Sequence, residues 1–102
     1  MLYAVTLSYL CSESELGTHL DAHKKWLIDG IDKAGVILAG PLKSGTGGYI
    51  LFHCDNEDDV HAYLAQDPFV IHQKVSLDVR GIEPMLCSKV FPQQWAINAK
   101  IV

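Results

Sequence analysis

Hydrophobic and polar positions change their period repeatedly along this chain, and each change marks the boundary of an element. Residues 2–9 (LYAVTLSY) are rich in β-branched and aromatic types and run into the polar cluster Cys11-Ser12-Glu13-Ser14-Glu15, which predicts a strand and then a turn. Ser12 or Ser14 is placed to cap the helix beyond it. From Leu16 the period becomes helical: at about 100° per residue, Leu16, Leu20, His23, Leu27, Ile31 and Ala34 fall within about 80° of one another. Asp21, Lys25, Asp29 and Asp32 fall on the far side, and Gly35 stands at a C′ position that ends the helix.

Val36-Ile37-Leu38-Ala39 reads as a short strand stopped by Gly40-Pro41, residues 43–48 as a loop by composition, and Tyr49 to Cys54 as the next strand. Asp55 to Asp59 bring carboxylates and a cap to the start of a second helix, where the helix dipole favours them. Val60, Tyr63 and Leu64 give that helix its apolar side, and it breaks near Asp67-Pro68. Residues 75–82 alternate Val75, Leu77 and Val79 with Ser76, Asp78 and Arg80, the pattern of a half-buried strand. The order is β-α-β-β-α-β, an α+β domain spanning residues 1–86.

Two helices cover only one face of a four-stranded sheet, so the other face is solvated or buried by a second sheet or another subunit. A homodimer is the expectation. Residues 87–102, with Phe91, Trp95, Ile97, Ile101 and Val102, are too apolar for a free tail and too few for a separate unit. They predict an extension packed on its own or a partner subunit.

Composition narrows the function classes. Apolar residues make up 49% and charged residues 20% of the 102 positions, the balance of one packed soluble domain. The formal net charge is −4 and no run of lysines and arginines exists, so nucleic acid is not an expected partner. The N-terminal apolar stretch has no basic lead and no small-residue cleavage site, and reads as a strand rather than a signal peptide. No segment approaches the roughly 20 apolar residues of a membrane span. Cys11, Cys54 and Cys87 are odd in number and far apart, against both a disulfide framework and a zinc site, and they point to a reducing cytoplasm.

His23 is the most informative residue, because it lies within the apolar stripe of the first helix and its ring must point inward. Either it is a buried histidine satisfied by a hydrogen bond, or it is a general acid or base. Asp67, held before Pro68, is explained by capping a helical turn at Phe69-Val70-Ile71, or else presents its carboxylate to a site. His19 and His23 are four residues apart, but no H-E-x-x-H pattern surrounds them, and no metal is expected. The glycine-rich stretch 45–48 lacks the Lys-Ser/Thr end of a phosphate loop and reads as a β-β connection at a pocket edge. Cys11 reads as a strand-end cysteine rather than a nucleophile.

Taken in order, Asp21-Ala22-His23-Lys24-Lys25-Trp26-Leu27, Ala39-Gly40-Pro41, Thr46-Gly47-Gly48-Tyr49-Ile50 and Asp67-Pro68-Phe69 resemble the YciI-like (YCII-related) family over about residues 2–86. The resemblance implies a ferredoxin-like fold with an antiparallel sheet, two subunits pairing their sheets as a dimeric α+β barrel. It also implies that His23 and Asp67 form a catalytic pair. Two departures stand out: Leu20 occupies the place of a common family arginine, and Ser44-Gly45 that of Pro-Arg.

The function expected is cofactor-independent acid-base chemistry, of lyase or isomerase type, on a small organic molecule. His23 would act as acid or base and Asp67 would orient it. The pocket is expected near Gly40, Pro41, Thr46 and Gly47, with Trp26 and Phe69 as apolar wall. The alternative is a non-catalytic module that binds a small metabolite or serves as an accessory subunit through the same pocket.

Overall fold

A computed structural model describes residues 1–102 as β1 (Leu2–Tyr9), α1 (Glu13–Gly17), α2 (Leu20–Lys33), β2 (Val36–Pro41), β3 (Gly47–His53), α3 (Glu57–Leu64), α4 (Pro68–Ile71) and β4 (Val75–Ile82). Two short strands come after them, β5 (Leu86–Cys87) and β6 (Lys100–Ile101), with a 3-10 turn at Gln93–Trp95 between them. The first four strands form one antiparallel sheet in the order β2-β3-β1-β4. The order of these elements is the β-α-β-β-α-β order that the alternation of periods predicts, and the sheet is the antiparallel, ferredoxin-like one that the resemblance implies.

Register decides which residues are buried. Val5 stands opposite both Ile50 and Val79, and Tyr3 opposite Phe52, so alternate residues of neighbouring strands share a face. Tyr3, Val5, Leu7, Val36, Ile50, Phe52 and Val75 form the sheet side of the core, met by Trp26 of α2, Val60 and Leu64 of α3 and Phe69 of α4. Each such side chain contributes roughly 1.5–3 kcal/mol on burial. The alternate set, including Ala4, Thr6, Leu51, Ser76, Asp78 and Arg80, points away from the helices.

The caps obey local chemistry. Ser12 accepts a hydrogen bond from the Glu15 amide, Asn56 accepts one from the Asp59 amide, and Asp67 caps α4 with Pro68 at its first position. The first helix differs from its predicted form in two ways. It starts at Glu13 and breaks at Thr18-His19 before α2, and the face of α2 that is buried centres on Trp26 and Gly30. Ile31, expected on the inner stripe, is 57% exposed. A helical wheel counts methylenes, whereas here the close approach is made where α2 has no side chain at all.

That approach yields a stability prediction. A Cβ on Gly30 would stand 2.8 Å from Val36 Cγ2 and 2.9 Å from Tyr63 Cε2. Alanine is the better helix former by roughly 1 kcal/mol, but overpacking of this kind costs about 1–3 kcal/mol. Gly30→Ala is expected to lower the urea midpoint at unchanged m-value; a raised midpoint would show that Tyr63 gives way freely.

Strand β2 carries a bulge. Val36 pairs with Phe52, yet Leu38 pairs with Leu51, so Ile37 is an extra residue. Beyond it, Leu38 turns away from the helices and the small Ala39 takes the inner position opposite Ile50. Beyond β4, β5 and β6 pair in parallel as a second, two-stranded sheet, and Phe91 meets Trp95 edge-on. Met85, Leu86, Val90 and Ile97 are exposed there.

Candidate functional site

The inner ends of β2 and β3 carry Ala39, Pro41 and Gly48, residues too small to fill the space beneath α2. The result is a cavity of about 460 Å³. Its floor is Leu7, Tyr9, Ile50 and those small residues, with Gly40 and Tyr49 at the edge. Leu20, His23, Lys24 and Leu27, one stripe at helical spacing, form the roof, and Phe69 closes one side. The volume lies in the range of small-molecule sites, roughly 300–1,000 Å³.

His23 and Asp67, 44 positions apart in sequence, meet here. Nδ1 of His23 lies 2.7 Å from Oδ1 of Asp67; the histidine side chain is 12% exposed and the aspartate fully buried. Asp67 is fixed by its surroundings. It lies just past the end of α3, its amide donating to the Leu64 carbonyl, and its extended backbone precedes Pro68. The same Oδ1 accepts the Phe69 amide at 3.0 Å, so one oxygen both caps α4 and holds the imidazole. Oδ2 is buried with no hydrogen-bond partner.

Phe69 adds a second constraint, stacking on His23 with ring centroids 3.9 Å apart and planes 9° from parallel. Asp67 sets the rotation of the imidazole in its plane and Phe69 sets the plane. A carboxylate is an acceptor only, so a proton sits on Nδ1 and, in the neutral ring, Nε2 carries the lone pair. His23 lines the cavity, so that lone pair belongs to a residue within reach of a bound molecule.

Reciprocal bonds tie α2 to α3. Trp26 Nε1 donates to the Tyr63 carbonyl at 3.2 Å and the Tyr63 hydroxyl to the Trp26 carbonyl at 2.6 Å, with the two rings stacked. Burial, then Asp29 and Asp67, push the Tyr63 phenol up, keeping it a donor. This clamp sets the position of α2, and with it His23, relative to the end of α3 that leads to Asp67.

Of the residues named from sequence, His23, Gly40, Pro41 and Phe69 line the cavity, and Asp67 stands behind His23. Trp26, Thr46 and Gly47 do not line it. Trp26 is in the core, and the Thr46 hydroxyl bonds Ser44 in the hairpin turn. Gly47 is dictated by packing, since a Cβ there would collide with the Leu7 carbonyl oxygen. Cys11 lies outside the cavity, bonded to the Lys74 carbonyl; desolvation, then Glu15, raise its thiol pKa. His19 stacks on His72 with centroids 4.0 Å apart. Leu7, Tyr9, Lys24 and Leu27 carry no functional signal of their own in the sequence, yet all four line the cavity. For the two strand residues the signal is alternation, which places Leu7 and Tyr9 on the same face as Val5.

A ferredoxin-like sheet roofed by a histidine-bearing helix is the class of structure this chain forms. It superposes on 5-chloro-2-hydroxyhydroquinone dehydrochlorinase (TftG) from Burkholderia phenoliruptrix AC1100, solved in complex with 2,5-dihydroxybenzoquinone, with a TM-score of 0.64 and 22% identity over 82% of this chain and 95% of that one. The protein YJCS aligns with a TM-score of 0.49 and 19% identity over 80% and 99%. No protein-family model and no curated protein matches the sequence. The first likeness establishes the fold, an α+β domain with a four-stranded antiparallel sheet. No helix is long and apolar enough to cross a membrane.

Proposed function

We propose that the chain is an acid-base enzyme of the lyase or isomerase type, acting on a small, flat, enolisable organic molecule without drawing on a cofactor. The observation that carries this reading is the His23–Asp67 pair, bonded at 2.7 Å, with His23 on the wall of a mostly apolar cavity and Asp67 buried behind it. The likeness to a dehydrochlorinase crystallised with a hydroxylated quinone supports the same class of substrate.

In the proposed step, Nε2 of His23 takes a proton from a carbon next to a carbonyl. The C–H electron pair becomes a new double bond, and a leaving group on the adjacent carbon departs with its own pair. In an isomerisation, the proton returns at a different carbon instead. Asp67 lies against the positive charge the ring then carries, and Phe69 keeps the ring from turning. Small cyclic diketones and hydroxyquinones incubated with the protein in D₂O, followed by NMR, are expected to exchange hydrogen at that carbon. A panel that binds without exchange or turnover would favour the non-catalytic module, in which the same pair only contacts ligand.

The chain acts as a homodimer in this reading, through the sheet face that points away from the helices. Leu38 is half exposed there, beside Leu51, Ala4 and Thr6. The arm of residues 87–102 packs against the partner subunit. A radius of gyration of 14.3 Å, against about 13 Å for a compact chain of this length, is what a projecting arm produces. Leu51→Arg puts a charge on this face of both subunits and is expected to give monomers by light scattering with the helical circular-dichroism signal retained. A wild-type protein that is already a monomer at high concentration would remove the homodimer from the proposal.

A further inference from the structure

We infer that Lys24 is the specificity-determining residue of the cavity and that it selects a planar organic acid, holding its oxyanion at the mouth while the ring lies beneath His23. The inference rests on the reading of this cavity as a substrate site. Lys24 sits on the cavity stripe of α2, one turn from both Leu20 and Leu27. It makes no ion pair or side-chain hydrogen bond in the protein, although Asp21 stands three residues before it; both salt-bridged basic residues other than histidine, Lys74 and Arg80, lie elsewhere. No acidic side chain lines the cavity.

The charge pattern is therefore one-sided. The carboxylate behind His23, Asp67, does not line the cavity, and its Oδ1 is bonded to two donors, His23 and the Phe69 amide. The aliphatic stem of a lysine runs along apolar wall and leaves its ammonium at the edge, the geometry that reaches a group on the rim of a flat ligand. An apolar cavity with a few placed polar groups orients its ligand through those groups, and here they are His23, Lys24 and two tyrosines. The ligand chemistry is an oxyanion on a planar ring, either a carboxylate or an ionised ring hydroxyl.

The test is calorimetric titration of the full-length protein with two matched pairs, benzoate against benzamide and 4-nitrophenolate against nitrobenzene. Wild type and Lys24→Arg are expected to bind the anion of at least one pair about five- to tenfold more tightly than its neutral analogue, an effect typical of a charge-assisted contact that remains partly solvated. In Lys24→Gln the two members of that pair should bind about equally, and the pair that shows the effect identifies the oxyanion. Discrimination that survives Lys24→Gln, or that vanishes in His23→Gln while persisting in Lys24→Gln, overturns the inference. So does equal binding of both pairs by wild type. If none of the four binds, the cavity takes no planar ring and the proposed substrate class falls with it. Failure of the acid-base reading alone is read separately, as hydrogen exchange unchanged by His23→Ala.

Discussion

Replacing His23 with alanine is expected to lower turnover, or hydrogen exchange, of a found substrate by about 10²–10⁴-fold, the span general acid-base catalysis provides. The variant also leaves Asp67 buried with the Phe69 amide as its one remaining donor. A loss of about 1–3 kcal/mol in stability accompanies such an unpaired group, so a lowered melting temperature is part of the expectation. Activity is therefore compared well below that temperature, and added imidazole is used as a probe. Rescue by free imidazole marks a chemical role, since a packing defect is not repaired in a pH-dependent manner by a soluble base. Turnover unchanged from wild type would sink the proposed role of His23.

The second large effect is expected at Asp67, where one oxygen holds both a helix and an imidazole. Asparagine with its amide oxygen at the place of Oδ1 keeps the cap and still accepts from Nδ1–H, but removes the negative charge that lies against the protonated ring. Its NH₂ falls at the place of Oδ2, buried and without an acceptor. Asp67→Asn should lose about 10²–10⁴ in turnover and about 1–3 kcal/mol of stability. Asp67→Ala loses the cap as well, about 0.5–2 kcal/mol, and leaves Nδ1–H without its partner. Equal activity in wild type and Asp67→Asn would assign the carboxylate to capping alone. Parallel denaturation and rate measurements on the two variants separate the two duties of one atom.

Element order was legible in the sequence because strand and helix periods alternate cleanly, and because Ser12, Gly35, Asn56 and Pro68 mark boundaries by local chemistry. The phase of α2 was less legible. Gly30 contributes nothing to an apolar stripe, yet it is where the helix approaches Val36 and Tyr63 most closely, which draws Trp26 inward and leaves Ile31 outside. The Trp26–Tyr63 clamp was invisible for a similar reason, since each bond joins a side chain to a backbone carbonyl that no pattern announces.

The site was legible in halves. The inward position of His23 comes from helical spacing, and its stacking on Phe69 needs only the Asp-Pro-Phe turn to be near. Local pattern explained Asp67 fully as a cap, and the cap is there. What local pattern does not contain is that the capping oxygen has a second lone pair aimed across the fold at a residue 44 positions earlier. Lys24 gives no signal in the sequence, because a charged residue on a helix is ordinarily solvated, and only the shape of the cavity shows which solvated lysine borders it.

The bulge at Ile37 gives the cavity a property that substitutions would not reveal. Were β2 to pair with β3 in unbroken alternation from Val36, the inner positions beyond it would fall to Leu38 and Gly40, and a leucine would fill the space under His23. The extra residue shifts the phase, so that Ala39 and Pro41 face inward instead. Deleting Ile37 preserves that phase, because Leu38 and Ala39 keep their partners Leu51 and Ile50 in a regular strand. Pocket depth is thus controlled by the parity of a strand. Relatives of equal length that lack the bulge would carry a filled site, and relatives one residue shorter at this edge an open one, with every residue around His23 and Asp67 left intact.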